Sequence, residues 1–177
     1  MIFISAGHHP AAPGATFERF TEHDEAVLWS EKMCEKAEPK STLVPPGTLQ
    51  SKVNYINARI MTGDIAIEIH FNSAMKDGEH VGRGCEVLYY PGSEAGKKIA
   101  TQCSEALSLV FPPNRGAKEG WYRMDPNRGP DFFLARTKCP AVILEPEFVH
   151  RNDLIRENRD MAIGLLIDSL KEFYQDE

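Results

Sequence analysis

The sequence predicts an α/β fold in which helices cover both faces of a mostly parallel sheet. Apolar segments with strand-like character alternate with segments of helical periodicity along the whole chain. The segment "AVILEPEF" is apolar at almost every position, which is typical of a strand covered on both faces. The 177 residues show neither an internal repeat nor a linker. We therefore expect one domain over residues 1–177.

The first half of the chain predicts three strands and two helices. A strand over residues 1–6 comes first, followed by a helix over 22–38, for which Thr21 is a suitable N-cap. A short strand at 41–46 ends in two prolines, and a helix is predicted over 49–61. The third strand is predicted over 63–74.

The second half continues the alternation after a strand at 84–92. Ser93 is a candidate N-cap for a helix over 94–111, which Pro112 and Pro113 would terminate. Residues 114–138 are rich in turn signals and are predicted to be a loop. A strand over 141–148 and a long helix from Asn152 or Asp153 complete the pattern, the helix carrying Met161 on its apolar stripe.

Composition excludes several classes of function. The net charge of −6, without a local Lys/Arg cluster, argues against a nucleic-acid partner. Nothing approaches the roughly 18 apolar residues of a membrane span. No secretory signal is recognisable at the start, so we expect a cytoplasmic chain as synthesised. The four cysteines have no metal-binding or disulfide spacing and are expected to be reduced thiols.

Polar residues stand where three predicted strands end. His8 follows the first strand, His70 ends the apolar part of "AIEIHFNSA", and Glu145 comes directly after three apolar residues of the late strand. Because binding sites of open α/β sheets lie beyond the carboxyl ends of the strands, these side chains should meet. Glu22 and Glu25 begin the first helix nearby.

These residue types predict a catalytic zinc site. Two imidazoles and one carboxylate are a common protein ligand set for zinc, with the fourth position left for water. A further carboxylate that does not bind the metal can move protons to a leaving amine. The alternative for Glu145 is a structural ion pair with Arg136 or Arg151.

The chain resembles the zinc-dependent N-acetylmuramoyl-L-alanine amidases. The segments that carry the resemblance occur in the family's order over about residues 2–167: "FISAGHHPAAPGA", "EHDEAV", "IEIHFNSA", "GCEVLYY" and "PAVILEPEFVHRND". The resemblance implies a phosphorylase/hydrolase-like sandwich, a Zn²⁺ cofactor and a peptidoglycan or muropeptide substrate.

Carried over by position, the family's metal ligands fall on His8, a glutamate at the start of the first helix, and His70. The catalytic carboxylate falls on Glu145. We favour Glu22 over Glu25 as the ligand, because Glu22 precedes an aspartate by two positions, as the family ligand often does. Glu25 would then be an exposed carboxylate of the first turn. The remaining matches are Gly14, Asn57 and Asn72.

The chain departs from the family at several positions near these residues. His9 replaces the usual glycine after the first histidine, and Glu68 replaces the common serine two residues before the second. Since strand side chains alternate, Glu68 should lie on the side of His70 and contact it. Glu147 replaces the family's glycine after the catalytic glutamate and, standing two residues after Glu145, should share its side. We expect these departures and Asn72 to lie around the metal ligands or to contact the substrate: His9, Glu68, Asn72 and Glu147.

Other polar residues have no comparable context. The histidines expected on the surface are His23, His80 and His150. The loop arginines, expected either to face solvent or to contact an anionic muropeptide, are Arg115, Arg123 and Arg128.

The expected function is hydrolysis of the amide between N-acetylmuramic acid and L-alanine, in a cell-wall lysin or an enzyme acting on imported muropeptides. One alternative is a zinc carboxypeptidase or N-acyl-amino-acid amidohydrolase with a small soluble substrate. Another is a non-catalytic binding protein on the same fold. Nothing in the sequence names a protein partner.

Overall fold

A six-stranded sheet forms the centre of the computed structural model, which describes residues 1–173, except the side chain of Glu172. Its strand order is β4-β1-β5-β10-β8-β9. These strands are β1 (Ile2–Ala6), β4 (Ser41–Leu43), β5 (Ile65–Ile69), β8 (Cys85–Tyr89), β9 (Asn114–Glu119) and β10 (Ala141–Glu145). Two short hairpins lie outside the sheet: β2 (Thr16–Phe17) with β3 (Phe20–Thr21), and β6 (Met75–Lys76) with β7 (Glu79–His80).

The sheet is mostly parallel, as the sequence predicts. Strand β1 runs parallel to β4 and β5, and β10 runs parallel to β5. The pair β8 and β9 is parallel within itself, but β8 is antiparallel to β10. As a result, the amino ends of β8 and β9 lie at the same edge as the carboxyl ends of β1, β5 and β10.

Helices cover both faces of this sheet. The helices are α1 (Glu22–Ala37), α2 (Leu49–Asn57), α3 (Glu94–Ser108), α4 (Phe132–Arg136) and α5 (Asn152–Ser169). Helices α1, α3 and α5 pack together on one face, where Ile2 and Ile4 of β1 are completely buried. Phe3, between them, faces the other core with residues of α2 and α4. This alternation follows from the period of two in a strand.

Several predictions differ from the structure. The segment predicted as a loop over 114–138 contains strand β9 and the short helix α4. The sequence of β9, "NRGAKE", is mostly polar and includes a glycine, so it gives no strand signal; an edge strand tolerates such a sequence. Helix α2 ends at Asn57, four residues before the predicted end, and the Asn57 side chain hydrogen-bonds to the backbone of Arg136 and Lys138. Met161, expected on the buried stripe of α5, is 59% exposed.

The helix starts agree with the capping pattern. Thr21 accepts a hydrogen bond from the backbone N–H of Asp24 at 3.1 Å, and Ser93 accepts one from Gly96 at 3.0 Å. Helix α5 begins at Asn152. All four cysteines are free thiols, as expected. Within residues 1–173, no helix has the length and apolar character required to cross a lipid bilayer.

Candidate metal and catalytic site

His8, Glu22 and His70 meet at the carboxyl-end edge of the sheet. Their candidate ligand atoms all lie within 4.8 Å of one another. Glu22 stands between the two imidazoles: its Oε2 lies 3.0 Å from His8 Nε2, and its Oε1 lies 2.8 Å from His70 Nδ1. Two ring nitrogens and a carboxylate oxygen are donors that suit Zn²⁺, so the residues present fit the metal that the sequence predicts.

Local backbone geometry brings these three side chains together. His8 leaves β1 in a left-handed conformation, with a φ of 58°, and its ring is turned toward His70, with ring centroids 4.8 Å apart. Glu22 is the first residue of α1, directly after the Thr21 N-cap. Gly14, with a φ of 78°, approaches so closely that a Cβ there would overlap both Glu22 and His8.

The buried Glu22 carboxylate has four hydrogen-bonding neighbours. Besides the two histidines, it accepts backbone hydrogen bonds from Ala15 at 2.9 Å and Phe71 at 3.1 Å. Burial disfavours the charged carboxylate, but the hydrogen bonds with His70 and His8 outweigh burial and hold the pKa of Glu22 well below its usual range. Glu22 is therefore an anion positioned for cation binding.

Glu25 does not belong to this cluster. It is buried, contrary to the expectation of an exposed carboxylate, and its Oε1 accepts hydrogen bonds from Trp29 Nε1 at 3.1 Å and Arg159 Nε at 2.6 Å. Glu25 thus joins α1 to α5, and Glu22 is the glutamate of this helix that contacts the two histidines.

Glu68 touches His70 on the side opposite Glu22. Its Oε2 accepts a hydrogen bond from His70 Nε2 at 3.1 Å, as the alternation of strand side chains predicts. Burial opposes the charged imidazole of His70, but the hydrogen bonds with Glu22 and Glu68 hold its pKa well above the ordinary value. A cation at Nδ1 would take the place of that proton.

Glu145 ends β10 next to this cluster. It is half-buried, and its Oε2 is shielded from solvent without a hydrogen-bond partner among the described residues. Burial raises the pKa of Glu145 to about 8; the positive His70 lowers it, while Glu22 and Glu86 raise it further. Arg151 pairs with Glu147 instead, and no ion pair joins Glu145 to Arg136 or Arg151 in the described part of the chain.

Two carboxylates that the strand-end pattern did not single out complete the surroundings: the buried Glu86 and the half-buried Asp131. Glu86 of β8 lies opposite Glu145 in the register and pairs with Arg115 at 3.0 Å and with Lys118. A carboxylate within the apolar strand "GCEVLYY" was the available signal for it. Asp131 caps α4, and burial together with the nearby Glu68 raises its pKa.

Three other predicted site residues lie in different surroundings: Asn72, His9 and Glu147. Asn72 donates a hydrogen bond to Glu86 Oε1 at 2.8 Å and so lies beside the Glu145 strand end. His9 lines a cleft of about 340 Å³ that opens onto the ligand cluster, together with Lys52 and Asp131. Glu147 is fully buried, and its carboxylate binds Gly84, Phe148 and Arg151. Its bonds are structural.

The histidines expected on the surface are not fully exposed. His23 is buried and donates from Nδ1 to the carbonyl of Gly7 at 2.8 Å, because α1 packs closely against the end of β1. His80 and His150 are half-buried and stack on each other, with ring centroids 5.8 Å apart. Of the loop arginines, Arg115 reaches the site through Glu86, whereas Arg123 and Arg128 are exposed.

Solved structures share this fold over nearly the whole chain. The catalytic domain of the CD27L endolysin targeting Clostridia difficile is 23% identical, with a TM-score of 0.75, and the match covers 97% of this chain and 96% of that one. An N-acetylmuramoyl-L-alanine amidase from Clostridium difficile 630 is 17% identical, with a TM-score of 0.80 and coverage of 99% and 97%. The catalytic domain of CwlV, an amidase from Bacillus (Paenibacillus) polymyxa var. colistinus, is 19% identical, with a TM-score of 0.76 and coverage of 99% and 98%.

No curated protein sequence matches the chain. The family model described as N-acetylmuramoyl-L-alanine amidase does match, over residues 2–160, a range that includes every residue of the candidate site. The phosphorylase/hydrolase-like α/β architecture expected from the sequence is that of the amidase catalytic domains. The chain therefore belongs to the Amidase_3 family of N-acetylmuramoyl-L-alanine amidases.

Proposed function

We propose that this chain is a zinc-dependent amidase that hydrolyses the bond between the lactyl group of N-acetylmuramic acid and L-alanine in peptidoglycan or muropeptides. The observation that carries the proposal is the convergence of His8, Glu22 and His70 at one sheet edge, beside the shielded carboxyl of Glu145. Family membership supports the amide as the bond that is cleaved.

Each residue has a separate task in this proposal. His8, Glu22 and His70 would hold the metal. Bound there, Zn²⁺ supplies a Lewis acid that polarises the scissile carbonyl and lowers the pKa of water to about 7. Glu145 accepts the proton of the attacking water and delivers it to the departing L-alanine nitrogen. Burial raises the pKa of Glu145 toward the working pH, the range in which a group exchanges protons most efficiently.

The cleft beside the cluster is where we place the substrate. It has a volume of about 340 Å³, and His8, His70 and His9 form part of its wall. This size and its direct opening onto the ligand atoms fit a peptide segment next to a sugar acid.

The test is digestion of purified sacculi and, separately, of soluble muropeptides, followed by mass spectrometry of the new ends. We expect a free L-alanine amine and a free lactyl carboxylate in equal amounts, loss of activity with a chelator, and recovery with Zn²⁺. Release of a carboxyl-terminal amino acid would indicate the carboxypeptidase alternative, and binding without new ends would indicate a binding protein.

The two substrates also separate the biological roles. Preference for intact sacculi supports a lysin that acts on the wall after release from the cell, and preference for soluble muropeptides supports an enzyme of muropeptide turnover. The cytoplasmic location of the newly made chain stays a prediction, which fractionation of producing cells would test.

A further inference from the structure

A buried ion pair lies next to the candidate metal ligands, at the wall of the cleft. Lys52 of α2 and Glu68 of β5 are each 2% exposed, and Lys52 Nζ lies 3.3 Å from Glu68 Oε1. Removing a lysine and a glutamate from water is unfavourable unless good partners replace the water. The proposed reaction uses neither charge, so their burial needs another explanation.

The ammonium group of Lys52 has one partner for each of its three hydrogens. Besides Glu68, it donates to the carbonyl oxygens of Ala6 and of His8, the latter at 2.8 Å. His8 holds a left-handed backbone conformation that residues with a Cβ rarely adopt. Lys52 therefore binds the backbone carbonyl of His8, and the unusual backbone conformation of His8 turns the His8 ring toward His70.

The carboxylate of Glu68 acts on the other histidine. Its second oxygen accepts a hydrogen bond from His70 Nε2 at 3.1 Å, which keeps a hydrogen on Nε2 and leaves Nδ1 facing Glu22. When a carboxylate accepts a hydrogen bond from the ring nitrogen that does not bind the metal, it fixes both the tautomer and the orientation of the histidine ring.

We propose that Lys52 and Glu68 form a positioning pair for both histidine ligands. One ammonium group holds the backbone of His8 and the carboxylate that orients His70, so a single buried contact sets the geometry of two ligands on different strands. The inference rests on the proposed zinc site. Neither residue is proposed to touch the reacting atoms.

The test compares zinc affinity and stability in four full-length variants. Three variants alter the pair: Lys52→Met, Glu68→Gln and the double variant Lys52→Met/Glu68→Gln. The control, Lys32→Met, removes a partly exposed lysine that pairs with Asp160. Zinc affinity is measured by competition with a chromophoric chelator, and stability by urea unfolding in the presence of excess chelator.

We expect each single variant of the pair to lower zinc affinity by roughly 10–100-fold, the usual effect of losing a residue that orients a ligand. Lys52→Met also leaves a buried carboxylate without its cation and should unfold more easily. The double variant removes both charges and should recover stability without recovering zinc affinity. Lys32→Met should match the parent in affinity.

The outcomes separate this inference from the proposed function. A parent chain that binds no zinc overturns the zinc site and the positioning pair together. A parent that binds zinc, with a double variant that binds it equally tightly, overturns the positioning pair alone and leaves the amidase proposal standing.

Discussion

Replacing Glu145 with glutamine tests the catalytic carboxyl and its environment in one preparation. The amide is nearly the same size as the carboxyl, so the three candidate metal ligands keep their positions and zinc content should be unchanged. Amide hydrolysis should fall by roughly 10²–10⁴-fold, the usual contribution of a general acid or base. Glu157→Gln, at an exposed position on α5, is the matched control for losing a carboxylate and should remain active.

The same substitution should change how stability depends on pH. Burial raises the pKa of Glu145 from 4.5 to about 8. A carboxyl whose pKa is raised by folding contributes stability below its unfolded pKa, and this contribution is lost as the pH rises through the folded value. At about 1.4 kcal/mol per pH unit, ionising Glu145 in the folded chain costs about 5 kcal/mol, and glutamine avoids this cost.

Urea unfolding at pH 5 and pH 9, in excess chelator, measures this effect. When the pH rises from 5 to 9, the unfolding free energy of Glu145→Gln should increase by about 4 kcal/mol relative to that of the parent, because most of the parent's ionisation cost arises in this range. An equal difference at both pH values would refute the raised pKa. Full hydrolytic activity would refute the proton-transfer role, and loss of zinc would make Glu145 a ligand.

Five further substitutions test the ligand set. His8→Ala and His70→Ala should each lose most of the bound zinc by elemental analysis, and retention of a full equivalent in both would disprove the site. Glu22→Ala should weaken zinc affinity more than Glu25→Ala; the reverse order of affinities would assign the ligand to Glu25. In urea unfolding, Glu25→Ala should destabilise the fold by about 3–5 kcal/mol, because it leaves a partly buried arginine unpaired. Gly14→Ala places a methyl group against His8 and Glu22, so we expect weaker zinc binding in the competition assay, and parent-like affinity would show that the loop adjusts freely.

The sequence by itself determined the fold class and the edge at which the site lies. Apolar periodicity predicted the alternation of strands and helices, because the period of each element is a local property of the chain. Thr21 and Ser93 were recognisable as caps for the same reason. His8, His70 and Glu145 could be linked because strand ends in a parallel sheet share an edge.

The tertiary structure decided what depends on packing between distant segments. Strand β9 is held by its pairing with β8, and its own residues carry little strand preference. Glu22 and Glu25 are chemically identical and one helical turn apart. Only the orientation of α1 against β1 and α5 directs one to the histidines and the other to Arg159.

The same reason explains why Lys52 could not be recognised from its sequence context. A lysine on a helix is ordinarily solvated, and nothing local distinguishes this one. Its burial follows from the contact of α2 with the ends of β1 and β5, where two carbonyl oxygens and Glu68 take the place of water. The sequence shows which side chains can bind a metal or carry a proton, and the packing of the helices on the sheet determines which of these side chains meet.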